Sequence, residues 1–590
     1  MSEAVNKAEV ISVRPNKIVV QVTDLNDFHI ANETLKVGSY IKILNNDDAI
    51  LIAIIENFSI GYNKDDERIY LIEALPLGVL NDDKFVRGGD TIAIPPRHVE
   101  PAIIEDIKAI YNAIDEDKRL KFCSLSTNKN IDVPVDGNKF FNKHIAILGS
   151  TGSGKSHTLS KILQTAISSK DRDFNLNNSH IIIFDIHSEY KSAFPDANFL
   201  DINTLKLPYW LLNSDELEEI LLDTGERDNY NQSSIFRKLV TLNKELNNED
   251  VQNISYDTPI KFNLSEVVNA LYNLKNETKN SKNNDLCMID DGSYVIKPDG
   301  GADANMGILF NSDIEKIKHY FSARYKFFPT KSQSINKGLY AEGTLDKFFN
   351  RIEEKIRQDR LNFIFNQDLL DVNFVDVLKN ILGYSDENKS NVTIIDLSDV
   401  PFEVLTITVS VISRLIFDYG YFYKRHRFEI NAEEKINNDV PILMVYEEAH
   451  KYVPNSELTK YRASKIAIER IAKEGRKYGI TLMLSSQRPS EISETIFAQC
   501  NNFISMRLTN PVDQNYVRKL LPDSLGGIID ILPSLHQGDA LLVGDSIVLP
   551  SIVTIDRCNP EPSSSDIPYW TLWKEQWKDV DFEAICQKWK

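Results

Sequence analysis

Short apolar runs bounded by turn-forming residues set the rhythm of the first hundred positions. They fall at Glu9–Val13, Lys17–Val22, Tyr40–Leu44, Ala49–Glu56 and Arg68–Glu73. The runs are rich in Val and Ile, alternating or continuous, and Asn-Lys, Asn-Asn-Asp-Asp and Asn-Asp-Asp turns separate or follow them. This pattern predicts a small antiparallel β-barrel over residues 1–105, closed near Pro95 and Pro96. Over 106–207, and again over 391–556, apolar strands alternate with helical periodicity, the signature of an α/β doubly wound sheet. Between 208 and 390 the strand signals thin out, and helical patterns such as Ile235–Leu246 and Leu345–Gln358 take over. A polar tract, Asn276–Asp303, follows the first of these, so the segment reads as a mainly helical insertion with a mobile loop. Past residue 557, Pro-Glu-Pro-Ser-Ser-Ser-Asp reads as a linker. Trp570, Trp573 and Trp577 then recur at helical spacing, a stripe that reads first as core packing, with a partner-binding face as the alternative.

Composition narrows the class. The 590 residues exceed one compact core, so several domains are expected. A net charge of −19 leaves no global basic field, and any contact with nucleic acid must be local. Cys123, Cys287, Cys500, Cys558 and Cys586 stand singly, without metal-ligand or disulfide spacing, which points to a reducing cytoplasm. The longest apolar stretch, Val404–Phe417, is interrupted by Arg414 and too short to span a bilayer; the N-terminal residues have no signal-peptide pattern.

Residues 149–156, Gly-Ser-Thr-Gly-Ser-Gly-Lys-Ser, match the phosphate-loop pattern at every fixed position. The apolar run His144–Leu148 supplies the preceding strand, and Thr158–Ile167 continues as a helix. The nucleotide-binding stretch is therefore Gly149, Ser150, Thr151, Gly152, Ser153, Gly154, Lys155, Ser156 and His157. Its glycines let the backbone approach phosphates, Lys155 reaches the β and γ groups of ATP, and Ser156 ligates Mg²⁺. A second segment, Ile442–His450, is an apolar strand ending in adjacent carboxylates. Hydrolysis needs one acid for the metal and one for the attacking water, assigned to Glu447 and Glu448 respectively. A third strand, Ile480–Ser485, ends at Ser486, Gln487 and Arg488, where the Gln487 amide can sense the γ-phosphate.

These motifs, with Asp-Ile-His-Ser-Glu-Tyr at 185–190, Tyr-Glu-Glu-Ala-His at 446–450, Glu474–Gly479, Ser485–Pro489 and Met506–Asp513, resemble the HerA group of the FtsK/HerA superfamily of hexameric DNA-pumping ATPases. Family members commonly carry Gly where Ser188 stands. The resemblance implies a RecA-like P-loop NTPase core behind a HAS-barrel-like N-terminal domain. It also implies a homohexamer with double-stranded DNA in the pore, and an arginine from the neighbouring subunit at each ATP site. Arg476 is the candidate finger, with Arg488 and Arg507 as alternatives and the cationic end of a helix as its structural reading. His187 and Glu189 fall near the nucleotide or at the interface. Residues 208–390 and the tail from 557 match no family pattern. Two functions follow. One is a DNA translocase or helicase feeding a partner nuclease or NAD-consuming effector, in end processing or anti-phage defence. The other is a nucleotide-regulated ring scaffold for a partner enzyme.

Overall fold

A computed structural model describes residues 8–588 except 15, 24–27, 29–34, 45–48, 63–65, 82–83, 89–97, 173, 223–228, 294, 296–300, 302, 331–333, 385–388, 432, 434–437, 457–461, 522–525 and 565–566. Pro95 and Pro96 lie outside the described residues.

Every strand expected in the N-terminal region is present. They pair antiparallel in the order Ala8–Arg14, Lys17–Val22, Arg68–Asn81, Ile50–Tyr62, Tyr40–Leu44, Val99–Pro101, with Lys84–Arg87 beside Arg68–Asn81. A bridge between Glu9 and His98 brings the first strand to the last and closes the sheet into a barrel. Alternation supplies its core: along Lys17–Val22 every second side chain, Ile18, Val20 and Val22, is buried. The barrel is fastened to the next domain by polar contacts in an apolar seam. Tyr40 and Tyr111 place their hydroxyls 3.0 and 2.9 Å from Ser551 Oγ.

The central sheet has ten strands in the order Asn198–Leu200, Val392–Asp396, His180–Asp185, Ile442–Tyr446, Ile480–Ser486, His144–Leu148, Cys500–Met506, Asp539–Gly544, Ser551–Ile555, Cys123–Leu125. The first seven run parallel and the last three are antiparallel additions. The strand Ile442–Tyr446, like His144–Leu148 and Ile480–Ser486, is buried along its whole length, as a strand covered on both faces requires. Parallel register lines up their carboxyl ends: Leu148 lies opposite Ser486 and Ser505, and Tyr446 opposite Phe184 and Leu484. The motif residues beyond those ends meet at one edge of the sheet.

The apolar run Val404–Phe417 is the buried middle of a 29-residue helix, Phe402–Ile430. Among the described residues no helix is long and apolar enough to cross a membrane. The helices between 208 and 390, chiefly Ser214–Leu221, Asn229–Asn247, Leu264–Asn276, Asp313–Ser322 and Asp346–Ile356, pack around a feature absent from the sequence reading. This is a four-stranded antiparallel sheet, Ile308–Leu309, Leu286–Cys287, Thr278–Asn280, Ile335–Lys337, built partly from the polar tract. Its strands are two or three residues long, too short to show a period of two.

The tail corrects one expectation outright. Trp570, Trp573 and Trp577 are 70%, 73% and 92% exposed, and the helix that begins at Tyr569 ends at Leu572. Helical spacing states which side chains can share a face; it does not supply an element to cover that face. The segment's own ring contacts are local, Tyr569 on Trp573 and Lys574 over Trp570.

Candidate active site

The loop after His144–Leu148 is tied to both neighbouring strands. Gly149 N–H donates to Ser486 O at 3.2 Å and Ser150 N–H to Arg507 O at 2.8 Å. Gly152 and Gly154 have φ of 71° and 106°, in the region where a side chain is strained. A Cβ on Gly149 would lie 2.5 Å from Ser153 Oγ. The loop thus turns tightly into the helix Lys155–Ser168, whose first N–H groups open on a cleft of about 600 Å³. Lys155, Ser156 and His157 line that cleft with His187, Glu189, Glu447, Glu448, Gln487 and Gln537. Lys155 Nζ donates to the carbonyls of Gly149 and Ser150 at 2.9 and 3.5 Å. Burial lowers its pKa, and Glu448, Glu447 and Glu189 oppose that shift. Ser156 Oγ donates to Glu189 Oε2 at 2.8 Å, and Thr151 Oγ1 to Gln487 Oε1 at 2.6 Å.

Glu447 is 4% exposed and is reached by the Ile186 N–H and the Tyr190 hydroxyl only at 3.4 and 3.5 Å. Burial, then the charges of Asp185, Glu189 and Glu448, hold its pKa well above the usual carboxylate range. Glu448 sits in left-handed backbone at φ 46°, ψ 48°. Its Oε2 is buried and accepts no hydrogen bond among the described residues. His450 Nδ1 lies 3.3 Å away; burial lowers the pKa of that ring, and the charges of Glu448 and Glu491 oppose the shift. The same nitrogen is 3.2 Å from Ser486 Oγ.

Sequence reasoning singled out residues 185–190 and set His187 and Glu189 near the nucleotide or at the interface, but it did not reach the acceptor role of Asp185 beneath this pair. Asp185, fully buried, accepts the N–H groups of His187 and Glu189 at 3.2 Å and of Tyr190 at 3.0 Å, which bends the chain so that Glu189 returns to Ser156. Ser188 completes the bend at φ 55° and donates its hydroxyl to Asp396 Oδ2 at 2.8 Å, an arrangement that explains why glycine also suits the position. An acid at a strand end directly before a polar turn was the available signal.

The acids and the serine suit a divalent cation. Mg²⁺ in phosphate-loop sites is held by a hydroxyl, one or two carboxylates, phosphates and water, not by an all-protein cage. Accordingly, no group of three or more His, Cys, Asp or Glu poised as a metal cage occurs among the described residues. The crowding that raises Glu447, and the undonated oxygen of Glu448, are what a nearby cation and a water would relieve.

The arginines separate. Arg488 borders the carboxyl edge but is paired with Glu491 at 2.6 Å. Arg507 joins the loop through its backbone carbonyl, and its buried Nε has no hydrogen-bond partner among the described residues. Arg476 is exposed and precedes Ile480, so it stands at the amino end of the sheet. A seven-residue strand, roughly 20 Å, separates it from the cleft of its own chain.

The family description "Helicase HerA, central domain" matches residues 120–416, half of the chain. A probable helicase of Methanocaldococcus jannaschii is 25% identical over 94% of this chain and 92% of its own length. The DNA double-strand break repair helicase HerA of Sulfolobus acidocaldarius is 27% identical over 77% of this chain and 72% of its own. Among solved structures, VirB4 of Thermoanaerobacter pseudethanolicus aligns with 78% of this chain and 99% of its own, at 13% identity and a TM-score of 0.41. With a phosphate loop, paired strand-end carboxylates and a parallel sheet behind them, the chain belongs to the HerA helicase family.

Proposed function

We propose that this chain is a Mg²⁺-dependent ATPase that assembles as a homohexamer and moves double-stranded DNA through the ring for a partner nuclease or NAD-consuming effector, in end processing or anti-phage defence. One observation carries the enzymatic part. A buried carboxylate oxygen, Glu448 Oε2, accepts no hydrogen bond among the described residues, with only the His450 ring nitrogen at 3.3 Å, beside a loop built for phosphate. An oxygen in that state is a strong acceptor awaiting a water proton.

In this reading Gly149–His157 cradle the phosphates and Lys155 neutralises the β and γ oxygens. Ser156 and Glu447 would hold the cation, which would supply charge screening for the leaving diphosphate. Glu448 orients the water, and Gln487, tethered to Thr151, reports the state of the γ-phosphate to the strand Ile480–Ser486. Arg476 has no ion pair among the described residues and lies far from its own cleft, so it serves the neighbour's. The relatives named as helicases support DNA as the track.

Mixing two inactive preparations tests ring and finger together. Arg476→Ala subunits keep Lys155, and Lys155→Ala subunits keep Arg476, so about a quarter of random junctions regain both. Recovered ATPase activity, stimulated by duplex DNA, is the expected result. Exchanged subunits no more active than either parent would remove the trans-acting arginine. Recovery without any response to DNA would favour the scaffold.

A further inference from the structure

Past the phosphate loop the cleft continues into a second hollow of about 630 Å³, and Gly154, His157 and Gln537 line both. The direction of a bound triphosphate follows from the groups already placed. The two carboxylates and Ser156 mark the γ end, so the chain of phosphates runs back toward His157, and whatever the α-phosphate carries enters the second hollow. Its outer wall is the start of the tail, Asp556, Arg557 and Glu561, facing Lys129, Thr554 and Ile555.

That stretch of tail is held firmly by its backbone. Gln164, on the phosphate-loop helix, accepts the Asn559 N–H at 3.0 Å and donates to Pro560 O at 2.8 Å. Ser192 Oγ donates to Glu561 O at 2.8 Å, and Cys558 Sγ lies 3.3 Å from His157 Nδ1. The side chains are a different matter. Among the described residues neither Arg557 nor Glu561 has a side-chain hydrogen bond or ion pair. A fixed backbone therefore presents an uncommitted guanidinium and an uncommitted carboxylate to a hollow that opens from the phosphate site.

We propose that Asp556–Glu561 is a ribonucleoside clamp, in which Arg557 lies against the face of the base and Glu561 accepts the ribose hydroxyls. A planar guanidinium stacks on an aromatic ring and keeps its charge in water. A carboxylate is the group of choice for a vicinal diol, which offers two donors and no charge. The clamp would make the tail sense an occupied site, since the same strand of chain runs on through Ser563, bonded to Glu189 O, toward the exposed tryptophans. The inference rests on the cleft being an ATP site.

Calorimetric titration of the full chain with ATP, 2′-deoxy-ATP and inorganic tripolyphosphate at fixed Mg²⁺ tests it. The wild type should bind ATP at least about tenfold more tightly than tripolyphosphate. Arg557→Ala should lose about that factor for ATP and stay within about twofold for tripolyphosphate. Glu561→Gln should erase the preference of ATP over its deoxy analogue. Unchanged ATP affinity in both variants, or equal losses for ATP and tripolyphosphate, overturns the clamp. Lys155→Ala keeps the two ideas separable: it should weaken all three ligands, and its failure to do so would count against the phosphate site, whereas clamp failure is read in Arg557→Ala and Glu561→Gln.

Discussion

Two of the places where this molecule buries carboxylates treat them in opposite ways. Where the helix Ser214–Leu221 meets the long helix Phe402–Ile430, Glu216 is 1% exposed and accepts Arg414 Nε and Nη2 at 3.1 and 2.8 Å, Ser410 Oγ at 3.0 Å and the Asn213 N–H at 2.9 Å. Its charge is fully answered. At the cleft, Glu447 and Glu448 are nearly as deep, yet among the described residues one has only long contacts and the other an oxygen that accepts no hydrogen bond. Two further acids crowd them, and Glu448 adds left-handed backbone. Residues held in sparsely populated backbone and short of partners persist when the surrounding structure over-determines them, and such sites cluster at functional centres. The first arrangement fixes a helix junction. The second stores unmet acceptors where ligand and water arrive.

Removing one member from each site should therefore have opposite signs. Glu216→Ala strands Arg414 inside the junction and should cost about 3–5 kcal/mol, read as a fall of roughly 10 °C in the thermal midpoint. Replacing both partners with apolar residues should recover most of it, which a lone cavity would not. Glu447→Gln, measured without nucleotide or metal at pH 7.5, should instead raise the midpoint by a few degrees while turnover is lost. The sign follows from its raised pKa: above the ordinary carboxylate range the unfolded chain releases the proton freely, while the folded chain must keep it or bury a charge. A midpoint that falls as far as in Glu216→Ala would abolish the contrast.

Glu219 gives the smallest and most graded effect. It accepts the Ala463 N–H at 3.1 Å at the start of the helix Arg462–Glu474, which leads to Arg476, and it also contacts Thr406. Burial pushes its pKa up to about 7, with Glu216 and Asp215 adding to the rise. The folded state thus holds a proton that the unfolded state loses near the ordinary value, so stability contributed here declines as pH rises toward 7. Thermal scans should show that decline in the wild type and a flatter profile in Glu219→Gln. Parallel profiles would return Glu219 to an ordinary surface acid.

How much of this was legible in the sequence depended on how local the signal was. The phosphate loop announces itself because glycines, Lys155 and Ser156 must be adjacent, and buried parallel strands read as continuous apolar runs. The acceptor role of Asp185 is local, a bend within residues 185–190, but the contact from Ser156 to Glu189 depends on residues 33 positions apart meeting at a strand end. The small sheet inside the insertion was illegible because its strands are shorter than the pattern that identifies strands. The tryptophan stripe misled for the converse reason: its spacing is a local fact, its exposure a tertiary one. Ser188, read as a departure from the family, fits once its positive φ is known.

The unmet oxygen of Glu448 is the centre of the account, and steady-state ATPase of Glu448→Gln beside equilibrium ATP binding tests it most directly. The substitution keeps the size and removes the proton acceptor. Turnover should drop about a hundredfold or more, with ATP affinity retained within a few-fold. Turnover within about threefold of wild type would contradict the assignment and leave the cleft without its water-orienting group.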